Sequence, residues 1–255
     1  MAERPRLDAI VFDAGGTLVR VDFAWLAAML ATLGFATDAA AVRRAELAGR
    51  RAYDAVCERV LATLPEGGGH APLSTLGPSD AYFTGTFAAL GVPAALHPEA
   101  LRRTWEYQRS DRFLWGVPAE GAREALDALA PSGLRLACVS NADGRAERIL
   151  ESCGVRAGLE FVVDSHVVGI EKPDPRIFAL ALGRLGVAPE RALYVGDIRS
   201  VDAAGAAAAG MHFVLIDPIG DYATAGMHRI PAIAALPEFV NRTFTIPAHA
   251  GGGSA

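Results

Sequence analysis

Apolar positions in this chain follow two different rhythms. From Leu7 to Phe12 they run almost unbroken, LDAIVF, and stop at Asp13 and a pair of glycines. A short apolar run ending at a Gly-rich turn predicts a buried strand that delivers its carboxyl end to a surface. From Asp22 to about Phe113 no comparable β-branched run follows. FAWLAAMLATLGF and AAAVRRAELAGRRAYDAVCERVLATL instead place apolar residues three and four apart, the spacing that gives a helix one apolar face. Between helical segments, PEGGGHAPLSTLGPSD is rich in turn formers and reads as a loop. After Trp115 the rhythm alternates. Helix PAEGAREALDALA precedes strand LRLACVS, then come helix GRAERILESCG, strand LEFVVDS, helix DPRIFALALGRLG, strand RALYVGD, helix SVDAAGAAAAG and strand HFVLID.

Strands and helices that alternate with short connections imply right-handed crossovers and a parallel sheet. The expected fold is therefore α/β, a Rossmann-like parallel sheet with helices on both faces, and the strand at Leu7 to Phe12 belongs to it. The helical segment becomes an insertion after the first strand. The expected organisation is an α/β core from residues 1–20 and 114–245, a helical cap domain at 21–113 and a flexible tail at 246–255.

In an open parallel sheet, ligands gather beyond the carboxyl ends of the strands. Those ends carry Asp13 after IVF, Ser140 and Asn141 after LACV, and Asp197 after YVG with Asp202 five residues on. Lys172 lies in GIEKPDP, between strand LEFVVDS and the next helix. Singly, each has a structural explanation as a strand terminator, a turn residue or a helix cap. Gathered at one edge, they make a candidate site. Composition sharpens one of them: among the 24 Lys plus Arg residues, Lys172 is the lone lysine.

The remaining composition mainly excludes. Hydrophobic residues make up 51% and charged residues 21%, a globular rather than a disordered balance. The formal net charge is −5 with basic residues scattered among acidic ones, which lacks the basic stripe that nucleic acid requires. Apolar segments break before the roughly 18 residues of a membrane span, and MAERPRLDAI lacks the apolar core of a secretory signal. The expectation is a cytoplasmic protein with no membrane or nucleic-acid partner. Cys57, Cys138 and Cys153 form no CxxC pair and read as reduced thiols. The six histidines show no zinc-ligand spacing.

Four segments in order, FDAGGTL, VSNADG, EKPDPRIFALAL and VGDIRSVDAAGAAAAGM, resemble the motifs of haloacid dehalogenase superfamily hydrolases of the phosphatase-like branch, with a helical cap inserted after the first motif. The resemblance implies Asp13 as a nucleophile that forms an aspartyl-phosphate. It implies Lys172 and Ser140 as catalytic groups, and Ser140, Asn141 and Lys172 as contacts for a small phosphorylated substrate. It also implies a Mg²⁺ site built from Asp13, the Gly15 backbone carbonyl, Asp197 and Asp202, the last orienting a ligand or water from behind. An aspartate is ionised at neutral pH and needs no base to attack. Lysine offers a compact ammonium where the broad arginine fork fits poorly.

One position departs from the pattern. Phosphatases of the superfamily usually carry a second aspartate two residues after the first, as acid and base, and here that residue is Gly15. Three readings follow: a magnesium-dependent phosphatase short of its acid, a catalytically weak phosphate-binding or regulatory protein, or a dehalogenase-type hydrolase, whose leaving halide needs no proton. A phosphonatase mechanism requires a cap lysine, and the 21–113 segment has none. Val21 to Trp25 and Gly67 to Leu76 are the stretches expected to line the substrate.

Overall fold

The computed structural model describes residues 4–63, 73, 78–110, 112–220, 222 and 226–247. The chain parts into two compact units, one of Met1–Arg20 with Pro118–Ala255 and one of Val21–Val117. Apart from Leu73, the Gly67 to Leu76 stretch lies outside the described residues, as does the tail beyond Pro247.

The Val21–Val117 unit is helical. Helix Phe23–Thr32 begins at Asp22, whose side chain accepts the Trp25 N–H at 2.9 Å. Helix Ala39–Leu61 begins at Asp38, which accepts from Ala41 N–H at 2.7 Å. Both carboxylates satisfy amides that a helix start leaves unpaired. Helix Ala39–Leu61 packs closely on helix Pro78–Leu90, because a Cβ on Gly85 would come within 2.7 Å of Ala52 Cβ. At this crossing the buried Glu46 accepts hydrogen bonds from Tyr82 Oη and from Arg50 Nε. Phe83, Phe87 and Leu114 centre an apolar core against which Trp105 and Trp115 pack. Arg43, Arg44 and Arg51 are exposed.

The other unit is built on a six-stranded parallel sheet. We number its strands β1 (Ala9–Phe12), β2 (Arg135–Ser140), β3 (Val162–Asp164), β4 (Ala192–Gly196), β5 (His212–Ile216) and β6 (His228–Ile230). Their order is β3-β2-β1-β4-β5-β6. All four residues of β1 are fully buried, as its unbroken apolar run requires of a strand covered on both faces. Register aligns Phe12 with Cys138 on one side and Val195 on the other, so Asp13, Ser140 and Asp197 emerge from one edge of the sheet.

Four elements differ from the sequence expectation. The strand expected over LEFVVDS is only Val162–Asp164, because Asp164 accepts the His166 N–H at 2.9 Å and starts a short helix at Ser165–Val168. The helix expected over SVDAAGAAAAG opens as a π-helical turn, Arg199–Ala203, before helix Ala204–Ala208. Strand β6 and helix Leu236–Thr243 were unanticipated: His228 and Arg229 of β6 are exposed, leaving no apolar run. Among the described residues, no helix is long and apolar enough to cross a membrane. The three cysteines are buried free thiols.

Candidate active site

Asp13 is the first residue beyond β1, held by its N–H donating to Val195 O at 2.8 Å. The chain then turns sharply. Gly16, at φ 76°, lies in the left-handed region that favours glycine, and a Cβ there would overlap the Asp197 carboxylate. Gly15 is not among the residues with positive φ. It bridges to Val19 through Gly16 N–H donating to Val19 O at 2.7 Å and Val19 N–H donating to Ala14 O at 2.9 Å. Both bonds use peptide groups beside Gly15 and spare its own carbonyl.

Lys172 is 2% exposed, with its ammonium at the centre of the cluster. Its Nζ donates to Asp13 Oδ1 at 2.7 Å, to Asp202 Oδ1 at 2.8 Å and to Tyr194 Oη at 2.8 Å. An ammonium has three hydrogens, and here three acceptors take them. Tyr194 Oη in turn donates to Val139 O at 2.9 Å, which turns its lone pair toward the lysine. Tyr194 was not legible as a site residue, since it sits inside the apolar strand RALYVGD.

Charges in this space depend on one another. Burial pushes the Asp13 carboxyl up while the Lys172 charge pulls it back, leaving it at about 6. Burial alone would lower Lys172, but Asp13 and Asp202 outweigh it and hold the ammonium above the ordinary lysine range. Burial, with the charges of Asp202 and Asp13, raises the Tyr194 phenol and keeps it protonated.

The second acidic segment folds back on itself. Asp202 Oδ2 accepts the N–H groups of Asp197 at 3.1 Å and Ile198 at 3.0 Å, while Oδ1 serves Lys172. The π-helical turn makes this return possible by bringing Asp202 under the end of β4. Gly196 makes room for it, since a Cβ there would lie 2.5 Å from Asp202 Cγ. Asp13, Asp197 and Asp202 each offer an oxygen, all within 4.8 Å of one another. Three carboxylates against one ammonium leave an excess of negative charge, and the donors are hard oxygens. That set suits a divalent cation, and Asp202 is committed to the loop and the lysine.

Ser140 and Asn141 reach the same edge but do different things. The Asn141 carboxamide is committed to the Lys172 main chain: Nδ2 donates to Lys172 O at 3.0 Å and Oδ1 accepts Lys172 N–H at 2.8 Å. It therefore positions the lysine. Ser140 is buried, and none of the hydrogen bonds found among the described residues uses its hydroxyl. Asp22, another carboxylate near the first motif in sequence, is spent on its own helix start.

Comparison with known proteins gives a consistent family. A family model for haloacid dehalogenase-like hydrolases matches residues 7–210. The chain is 40% identical over 153 residues to haloacid dehalogenase-like hydrolase domain-containing protein 3 of Mus musculus, covering 60% of this chain and 61% of that protein. It is 42% identical over 87 residues to the phosphoserine phosphatase of Thermus thermophilus, covering 33% of this chain and 34% of that one. The aligned part thus spans about three fifths or less of these relatives. Among solved structures, the L-2-haloacid dehalogenase of Xanthobacter autotrophicus with covalently bound chloropropionic acid superposes with a TM-score of 0.57 at 19% identity, over 92% of this chain and 98% of that one. That likeness extends to the fold alone.

Proposed function

Because the chain belongs to the haloacid dehalogenase-like hydrolase family, we propose that it is a magnesium-dependent phosphatase acting on a small phosphorylated metabolite through an aspartyl-phosphate on Asp13. One observation carries this reading: the ammonium of the single lysine lies 2.7 Å from Asp13 in a pocket shared with Asp197 and Asp202. A site that only bound anions would gain nothing from three carboxylates. A dehalogenase would gain nothing from a cation-binding pair, because its halide leaves as an anion from carbon. The phosphatase relative supports the same direction.

Asp13 attacks phosphorus as the bond to the leaving oxygen breaks, and water later displaces the phosphoryl group from Asp13, releasing inorganic phosphate. Lys172 holds one Asp13 oxygen and so aims the other. Because all three of its hydrogens already have protein acceptors, the lysine works by charge and by fixing Asp13. Ser140 donates its hydroxyl to a phosphoryl oxygen. Magnesium held by Asp13, Asp197 and the Gly15 carbonyl supplies charge neutralisation for phosphoryl oxygens when bound. A cytoplasmic setting fits the three buried free thiols.

The test is release of p-nitrophenol from p-nitrophenyl phosphate, whose phenolate leaves without an acid. Release is expected with magnesium and background with chelator. Magnesium should also raise the melting temperature, and its effect should grow with pH. Asp13 is raised to about 6 in the folded chain from 3.8, so the stability its protonated form contributes is full below about 3.8 and lost as pH rises through about 6. The cation binds the ionised form, so the magnesium shift should be small near pH 5 and large above pH 6. No release under any of these conditions would overturn the phosphatase reading in favour of a phosphate-binding protein lacking turnover, the outcome the missing side chain at Gly15 makes worth testing.

Lys172→Arg, mild at most surfaces, is expected to be severe here. The guanidinium overfills a pocket closed by Asp13, Asp202 and Tyr194, at a cost of about 1–3 kcal/mol, and points its hydrogens in fixed directions that three separate acceptors do not match. Thermal melting and phosphate release should both fall, the latter by more than about tenfold. Full activity in the arginine protein would reduce the solitary lysine to an accident of composition.

A further inference from the structure

Two residues that the reading above leaves without a role bind the loop that presents Ser140. Ser140, the last residue of β2, is in register with Asp164, the last residue of β3. The chain beyond Ser140 passes over the end of β3, and there its main chain meets two side chains. Asp164 Oδ1 accepts the Gly144 N–H at 3.2 Å, and Oδ2 accepts the Ala146 N–H at 3.1 Å. Ser165 Oγ lies 3.1 Å from Ala142 N, which donates to it, and 3.3 Å from Ala142 O. Both side chains are buried.

The bonds fill a local deficiency. Helix Ala146–Ser152 starts after Arg145, which gives it no side-chain cap. An arginine has only donors, so the free amides at this helix start need an acceptor from elsewhere. Asp164 supplies it from a strand 18 residues away, while also accepting the His166 N–H of its own short helix. Together with the Asn141 clamp on Lys172, alternate points of the 141–146 stretch are tied to the segment 164–172.

We propose that Asp164 and Ser165 are positioning residues for the Ser140 hydroxyl: by holding Ala142, Gly144 and Ala146 they set the direction in which Ser140 and Asn141 leave β2. The proposal rests on the phosphatase reading for its kinetic consequence, though not for the latch itself. A misplacement of about 1 Å at a positioned group costs up to about a hundredfold in rate.

The test is a double-mutant cycle on p-nitrophenyl phosphate turnover with magnesium, using Ser165→Ala and Asp164→Asn, each alone and combined with Ser140→Ala. Ser165→Ala removes both contacts to Ala142 with little change in volume. Asp164→Asn keeps the shape but turns one acceptor into a donor facing an N–H. Each single change is expected to lower kcat/KM by about 5- to 50-fold, within the range of coupling seen between interacting residues. In the Ser140→Ala background the further loss should shrink to less than about twofold. If the losses multiply instead, the two residues act independently of Ser140 and the positioning role is overturned.

Amide exchange of the native protein provides the second measurement. Exchange at Ala142 should accelerate by about tenfold or more in Ser165→Ala while the β1 amides keep their protection. Unchanged exchange at Ala142 would overturn the latch. If the unmodified protein turns over no phosphate ester while Ser165→Ala exchanges as expected, the function reading fails and the latch stands.

Discussion

Asp13→Asn is expected to bring phosphate release to background, a loss of more than about a thousandfold, because removing one member of a covalent catalytic unit forfeits most of what the unit supplies. The fold should survive. The asparagine carbonyl can still accept from Lys172 Nζ at the position where Oδ1 now does, and Asp202 continues to balance the ammonium. The variant also removes a carboxylate whose ionisation burial opposes, so its melting temperature without metal should lie close to that of the unmodified protein. Beryllium fluoride, which caps an aspartate as a phosphoryl mimic, should bind the unmodified protein in the presence of magnesium and leave the variant untouched. Undiminished turnover by Asp13→Asn would remove Asp13 from the chemistry.

Gly15→Asp should act in the opposite direction. A positioned acid and base is worth about 10²- to 10⁴-fold, and alkyl phosphates, whose leaving oxygen needs a proton, should gain up to that amount. Aryl phosphates should gain less. The backbone permits the change: the left-handed turn is taken by Gly16, whereas Gly15 carries no positive φ. The measurement is initial rate against leaving-group acidity for both proteins. A steep dependence is expected in the unmodified chain and a shallow one in the variant. A shallow dependence already present in the unmodified chain would mean that another group delivers the proton. Asp22 Oδ1 is already engaged at its own helix start, where it accepts from the Trp25 amide.

The candidate site could be read so far because parallel strands punctuate themselves. Each apolar run must stop where the sheet ends, so the first polar residue marks the edge at which ligands bind. Asp13, Ser140 and Asp197 were legible on that basis, and Lys172 by its rarity. Asp164 and Ser165 obey the same rule, yet they were absorbed into an overlong strand because they follow directly on the β-branched pair Val162 and Val163. Only the side-chain capping of His166 shows where that strand stops. Tyr194 escaped for another reason. An aromatic in an apolar strand looks like core, and packing against Phe178 bears that out for its ring. Its hydroxyl alone belongs to the site. The division of labour between Asn141 and Ser140 was equally invisible: both are short polar residues at one strand end, and only the two bonds to the Lys172 backbone separate a clamp from an open donor. Strand β6 and the π-helical turn depend on tertiary pairing and on a carboxylate folding back, neither of which leaves a period in the sequence.

The burial of the lone lysine has a consequence for handling the protein in the laboratory. Reagents that acylate amines find no accessible ε-amino group on the folded chain, because the single one is 2% exposed and saturated by acceptors. Labelling, immobilisation and cross-linking through lysine will therefore fail on the native protein, or will succeed only on molecules in which this pocket has opened. Acylation of Lys172 becomes a chemical clock for that opening, read by mass on the peptide that carries Lys172, and its rate measures how often the site comes apart.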